Sequence, residues 1–243
     1  MHTVVWISGA SSGIGAALAD SVPFAAARVI GIGRRPPPRG RHVEADLSAP
    51  AAWPRIAAHF REVLARDRAD AAVFLHMAGV ATPVGPLVTA DPDAYTDAVL
   101  LNAASGLVLG KGFLEACRDT GARATLVVCS SPAAAAPVYG ASHYGAGKSA
   151  LQYWAATAAT EVEGSARVFS VIPFSVDTPM ARETMAQPPG ATATAGERCG
   201  AAEHGDRATH EATAEQIWTL VLDETIQGTA VPVGAVPAEP RCV

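Results

Sequence analysis

Tyr144 and Lys148, in the stretch "VYGASHYGAGKSAL" (138–151), stand at i and i+4, which makes them neighbours on any helix that starts near His143. A phenol beside an ammonium can move a proton. A free phenol titrates near 10, so exchange near neutral pH requires bringing that value down by roughly 3, worth about 4 kcal/mol. A neighbouring positive charge favours the phenolate and acts in that direction. By composition alone, a tyrosine followed four residues later by a lysine is expected about 0.03 times in such a chain; the plain alternative is a solvated surface pair. The chain has sixteen arginines but only two lysines, Lys111 and Lys148. A lysine kept at this position points to a need for its slim point charge, which a guanidinium fork does not supply.

Gly147-Lys148-Ser149 also matches the tail of a phosphate-binding P-loop, which would indicate a nucleotide hydrolase. That motif needs a glycine five positions before its Gly-Lys-Ser, and Ser142 stands there. It also needs a strand running straight into the loop, whereas the nearest strand pattern ends near Ser130. The acid/base pair is the better fit.

A helix carrying such a pair has to be held by a scaffold, and the rest of the sequence describes one. Short aliphatic runs at 3–8, 28–33, 42–45, 71–77, 124–130, 167–172 and 229–233 predict strands. Helical patterns fall between them at about 14–22, 50–66, 92–118, 143–162 and 214–225. The alternation predicts βαβ units around a parallel sheet covered by helices on both faces. Thr213 followed by Gln216 predicts a capping box at the start of the last helix. No repeat or second domain is evident, so a single domain over 1–243 is expected, with the Ala/Gly/Thr/Pro-rich stretch 179–212 as a flexible cover over the substrate.

In "ISGASSGIGAAL", Gly9, Gly13 and Gly15 follow the first strand and precede a helix. A dinucleotide's pyrophosphate needs a backbone approached without side chains and a helix presenting free N–H groups. The spacing G-x-x-x-G-x-G differs from the commoner G-x-G-x-x-G, and a plain tight turn is the competing reading. The second strand ends in Gly33-Arg34-Arg35. An acid at that strand end would bind a ribose 2′-hydroxyl and favour NAD, whereas arginine accommodates a 2′-phosphate, so the sequence predicts NADP(H) rather than NAD(H).

The remaining composition narrows the class. With 49% apolar and 17% charged residues the chain is globular rather than disordered. A formal net charge of -5 and no Lys/Arg run make nucleic acid and anionic lipid poor partners. The start "MHTVVWISGASSG" reads as neither signal peptide nor anchor, and no apolar run is expected to span a membrane. Cys117, Cys129, Cys199 and Cys242 are scattered and far from any histidine cluster, so free thiols in a reducing cytoplasm and no metal site are expected.

Taken in order, "SGASSGIG", Asn102 in "LLNAAS", Ser131 in "VVCSSP" thirteen residues before Tyr144, "YGAGK", and "SVIPFSVDTPM" at 170–180 resemble the motifs of the short-chain dehydrogenase/reductase family across essentially the whole chain. The resemblance implies a doubly wound Rossmann domain with a seven-stranded parallel sheet. It also implies hydride transfer between a nicotinamide and a small-molecule carbonyl or alcohol. Tyr144 would be the general acid/base, Ser131 would bond the substrate oxygen, Lys148 would hold the nicotinamide ribose and assist Tyr144, and Asn102 would anchor a proton-relay water. The cofactor would touch Gly9, Ser11, Ser12, Gly13, Ile14 and Gly15 at its pyrophosphate, and Arg34 and Arg35 at its 2′-phosphate. Asp46 and Leu47 would meet the adenine, Ala78, Gly79 and Pro173 would line the site, and Thr178 would lie near the carboxamide. Ser130 is the competing serine.

Three features depart from the family pattern. Asn-Asn-Ala-Gly appears as His76-Met77-Ala78-Gly79, so Met77 lacks the amide. Pro-Gly appears as Pro173-Phe174, which is expected to place a ring near the nicotinamide. His143 is expected to face solvent, the alternative being substrate contact. "HMAGVATPVGPL" also resembles the sepiapterin and benzil reductase branch, implying bulky or vicinal dicarbonyl substrates. Family members commonly form dimers or tetramers through the helices at 92–118 and 143–162, and "ALQYWAATAAT" fits either such an interface or a buried helix. The function expected is an NADP(H)-dependent ketone or dicarbonyl reductase. The alternatives are a non-catalytic NADP-binding regulator on the same fold and a nucleotide-sugar epimerase, which usually needs a longer chain.

Overall fold

A computed structural model describes residues 1–186, 193–194 and 207–235. All seven strand runs of the sequence form one parallel sheet of order β3-β2-β1-β4-β5-β7-β9. Its strands are β1 (Thr3–Ser8), β2 (Arg28–Gly33), β3 (Arg41–Glu44), β4 (Ala71–His76), β5 (Arg123–Cys129), β7 (Ala166–Phe174) and β9 (Ala230–Gly234). A second, two-stranded pairing that the sequence did not announce joins β6 (Val138–Tyr139) to β8 (Ala193–Thr194). Pro232 is tolerated in β9 because that strand is an edge of the sheet.

The helices lie on both faces, and the residues of β1 alternate between them. Val4 and Trp6 join a core with α2 (Trp53–Asp67), α4 (Ser105–Thr120) and α5 (Ser142–Glu161). Val5 and Ile7 join another with α1 (Gly13–Asp20) and α7 (His210–Leu222). In the first core Trp6 meets the Phe60 ring edge-on at 5.2 Å, and Phe60 in turn lies 5.6 Å from Phe113, the geometry aromatic quadrupoles prefer. α2 forms because Trp53, Ile56, Phe60, Val63 and Leu64 fall on one stripe.

The helix predicted over 92–118 is present but interrupted. α3 (Pro92–Val99) leads into α4 through one π turn, Leu100–Ala104, which widens the helix where Asn102 points inward. A Cβ on Gly106 would overlap Leu151, and one on Gly110 would approach Trp154 to 2.5 Å. Glycine at these positions lets α5 lie directly against α4. α5 buries Leu151, Ala155, Ala158 and Ala159 within the chain, while Tyr153 is 78% exposed. Its apolar stretch therefore serves the core on one side and leaves an aromatic outside.

Two expectations need correction, and a third falls largely outside the described residues. The last helix does not start with a Thr213/Gln216 capping box. Thr209 is the N-cap, accepting from Ala212 N at 3.1 Å. Thr213 lies inside the helix with its hydroxyl on Thr209 O, and Gln216 accepts from Gly234 N. Against the expectation of no membrane-length run, the continuous helix Pro92–Thr120 has a window of mean hydropathy 1.3 that meets the length and composition of a span; its Leu109, Phe113, Ala116 and Cys117 belong to the core. Of the 179–212 segment, the structure describes α6 (Pro179–Met185), β8 and the stretch from 207 onward. The rest of that segment, with Cys199, and the terminal Cys242 lie outside the described residues.

Candidate active site

The sheet order changes direction between β1 and β4, and a crevice opens beyond their C-terminal ends, where doubly wound sheets bind ligands. Gly9 leaves β1 at φ +68°, and a Cβ there would sit 2.9 Å from Ala78 Cα; at Gly15 it would overlap the Gly9 carbonyl. The turn is thus closed tightly enough to bring α1 to the strand end. Ser12, the extended N-cap of α1, makes no side-chain cap bond, so the first N–H groups of the helix are left for an acceptor in the crevice. That donor set fits a pyrophosphate.

The cleft has a volume of about 680 Å³, within the range of small-molecule sites. Ser11, Ser12, Gly13, Ile14 and Gly15 line it beside Gly9. At the end of β2 no atom of the described residues beyond its chain neighbours lies within 4 Å of a Cβ on Gly33, and Arg34 and Arg35 line the cleft beside it. Asp46 and Leu47 form the adjoining wall. Burial pushes the Asp46 carboxyl up, but bonds from the Ser48 hydroxyl and amide, with the Arg34 charge, outweigh it and hold the group below its usual value. Ala78 and Gly79 follow β4, and Pro173 and Thr178 close the far side. Thr178 is also the N-cap of α6, accepting from Ala181 N, a use the sequence reading missed.

Ser131, Tyr144 and Lys148 reach the same cleft from the end of β5 and from α5. Lys148 is 2% exposed; its Nζ donates to Cys129 O at 2.8 Å and lies 5.6 Å from the centre of the Tyr144 ring. Ser131 Oγ accepts from Ala133 N at 3.2 Å, which leaves its O–H to donate. Ser130 is different. Its side chain is turned to Gln152 Oε1 at 2.7 Å, so of the two serines only Ser131 has a hydroxyl available to the cleft.

Asn102 alone among the candidates is not on the cleft wall. It is fully buried behind Gly79, its Oδ1 accepting from Val80 N at 2.9 Å and its Nδ2 donating to Val80 O at 2.8 Å. A Cβ on Gly79 would come within 3.1 Å of Asn102 Oδ1 and 3.2 Å of Lys148 Nζ. From sequence Gly147 had no role beyond the rejected P-loop match, yet a Cβ there would sit 2.8 Å from Asn102 Cβ. The Gly-Lys-Ser is thereby accounted for: Gly147 admits Asn102, Lys148 enters the cleft, and Ser149 bonds Ala134 O in the turn after Ser131.

Two departures also come out differently from expectation. His143 does not face solvent: it is 3% exposed, 5.2 Å from the Tyr95 ring, and is not part of the cleft wall. Its hydrogen bonds go to the backbone at Ala81 and Thr82, in the loop after β4, which sequence spacing does not place. Phe174 does not line the cleft either; it ends β7, and its carbonyl accepts from Ala235 N. Met77 lines the cleft and packs on the second core.

The model of the short chain dehydrogenase family matches residues 3–189. The chain belongs to the short-chain dehydrogenase/reductase family. As a short-chain dehydrogenase/reductase it is an oxidoreductase that binds a nicotinamide cofactor and acts on a small molecule. Comparison with curated protein sequences gives no match. Among solved structures it is similar to the ligand-free aldohexose dehydrogenase of Thermoplasma acidophilum, with 20% identity, 99% of this chain and 98% of that one covered, and a TM-score of 0.77. It is similar also to a serine dehydrogenase complexed with NADP+ (17% identity, 99% of each chain, TM-score 0.76). A 4-hydroxyisoleucine dehydrogenase complexed with NADH is a third neighbour (19%, 95% of this chain and 96% of that, 0.73). At such identities the likeness is one of fold.

Behind the cleft of this dehydrogenase/reductase, burial and the Lys148 charge push His76 down to about 3, and burial also lowers His59 and His143. Between the unfolded value near 6.5 and the folded value, the unfolded chain binds a proton that the folded chain does not, so stability falls as pH falls. For His76 the slope is about 1.4 kcal/mol per pH unit. The carboxylates with lowered values act in the same sense only near 3.8 and below. The urea midpoint should therefore drop steadily from pH 6.5 to 4.5, and less steeply in His76→Asn; a flat midpoint over that window contradicts a buried neutral histidine.

Proposed function

We propose that the protein is an NADP(H)-dependent carbonyl reductase or alcohol dehydrogenase whose substrates are ketones or dicarbonyls. The observation that carries this is the convergence of Ser131, Tyr144 and Lys148 at one end of a single cleft whose other end has the glycine turn, the open space at Gly33 and the paired arginines. When bound, the nicotinamide supplies or accepts the hydride. The chain's residues manage the proton and the charge. Ser131 donates its O–H to the substrate oxygen and stabilises the charge that develops there. Tyr144 gives its proton to that oxygen in reduction and takes it back in oxidation. Lys148, fixed by one N–H on Cys129 O and set 5.6 Å from the centre of the Tyr144 ring, would turn its other N–H groups toward the ribose hydroxyls. Asn102, with both ends of its carboxamide on Val80, shapes the wall behind Gly79 and would anchor the relay water.

The substrate end supports apolar carbonyl compounds: Val80, Leu101, Ala133, Val138, Ala141 and Met180 are among its lining residues. The likeness of 76–87 to the sepiapterin and benzil reductase branch makes dicarbonyls the first to try. Association as a homodimer or homotetramer through α4 and α5 is supported by Val108 and Tyr153, which remain exposed on those helices. The free thiols of Cys117 and Cys129 suit a reducing, cytoplasmic setting.

Cofactor choice is tested at Arg34. A charge-assisted contact to phosphate is worth about 1.5–3 kcal/mol, so Arg34→Asp should raise the Kd for NADPH by roughly 100-fold and change that for NADH by no more than about 3-fold. Equal losses for both, measured by fluorescence titration, would remove the 2′-phosphate assignment.

A further inference from the structure

His76 stands where the family pattern has an asparagine, is fully buried, and belongs to no step described above. Its partners define its tautomer. Ser105 Oγ donates to Leu101 O at 2.7 Å, so toward His76 Nε2, 3.4 Å away, that oxygen can only accept. Nε2 therefore carries the hydrogen of the neutral ring, and Nδ1 accepts from Ser8 Oγ at 3.0 Å. Ser8 Oγ in turn accepts from Ala78 N at 3.1 Å. Every donor and acceptor in this chain has one consistent sense, running from Ala78 N–H to the Leu101 carbonyl. One end is the backbone that lines the cofactor cleft, and the other is the π turn that carries Asn102. The ring also fills the contact left by Gly106, where a Cβ would come within 2.9 Å of His76 Cδ2.

We propose that His76 is a positioning residue: as an Nε2–H imidazole it locks the Ala78–Val80 wall to the Asn102 turn, so that Asn102 and Lys148 are held in register with Tyr144. The inference rests on the function proposed above for this cleft. The two arms of the relay separate experimentally because they end on different parts of the site. Ser105→Ala removes only the arm to the Asn102 turn and should lower kcat about tenfold with the Kd for NADPH unchanged. Ser8→Ala removes only the arm to Ala78 and should raise the Kd for NADPH several-fold with a smaller effect on kcat. In His76→Asn the side-chain oxygen can still accept from Ser8, so that variant should resemble Ser105→Ala rather than Ser8→Ala.

A purely structural His76 predicts lowered melting temperatures with kcat and Kd of the folded fraction unchanged in all three variants, and that result would overturn the proposal. A readout independent of turnover is the 15N spectrum of histidine-labelled wild type. It should show His76 with bare Nδ1 and protonated Nε2 from pH 7 to 5; the opposite tautomer or an imidazolium would also overturn the proposal, even should a variant fail to fold. An active Tyr144→Phe would defeat the proposed function whatever His76 does, so the two failures are distinguishable.

Discussion

Tyr144→Phe should lower kcat by roughly a thousandfold or more while the affinity for NADPH stays within about twofold, because general acid/base transfer contributes on the order of 100- to 10,000-fold. The substitution removes one oxygen and keeps the ring, which lines the cleft and lies against Lys148. The split between kcat and Kd is the informative feature. Loss of both together would mean that the ring supports the cofactor cleft, whereas near-normal turnover would remove Tyr144 from the chemistry. Single-turnover measurements with NADPH in excess separate these results from any change in product release.

Lys148→Arg is the second large effect. It keeps the positive charge, yet kcat/KM should fall on the order of 100-fold and the melting temperature by several degrees. Lys148 is 2% exposed, wedged between the Cys129 carbonyl and the backbone of Gly79, where even a methyl group would sit 3.2 Å from Nζ. A guanidinium is wider than this space, and overpacking a buried site costs about 1–3 kcal/mol. Its fork also cannot place one N–H on Cys129 O while aiming compact donors at ribose hydroxyls. Activity close to wild type in this variant would show that charge alone suffices, and the scarcity of lysine in the chain would then carry no meaning for the site.

Parallel strands buried on both faces are near-continuous apolar runs, so all seven were legible in the sequence, including the weak "TAVPV" at the edge. Boundaries depended on finer chemistry. Thr209 and Thr213, four residues apart, both offer a hydroxyl for a cap, and the fold uses the first, leaving the second fully buried inside the helix with its hydroxyl on Thr209 O. The π turn at Leu100–Ala104 has no periodicity of its own; it appears only because Asn102 turns inward to bond Val80 from a distant strand end. The cleft residues were legible because each lies in a short motif with its own chemical reason. Gly147 and Thr178 have roles that depend on what packs across from them, and the same holds for His143 and Phe174, whose neighbours come from loops that sequence spacing does not place.

The measurement that bears most directly on the proposed activity is initial-rate consumption of NADPH over a panel of ketones and vicinal dicarbonyls, with NADH in parallel and product followed by chromatography. The prediction is stoichiometric conversion of at least one carbonyl to its alcohol, faster with NADPH than with NADH and abolished in Tyr144→Phe. Tight NADPH binding without consumption across the whole panel would contradict it and leave a nucleotide-binding regulator in its place.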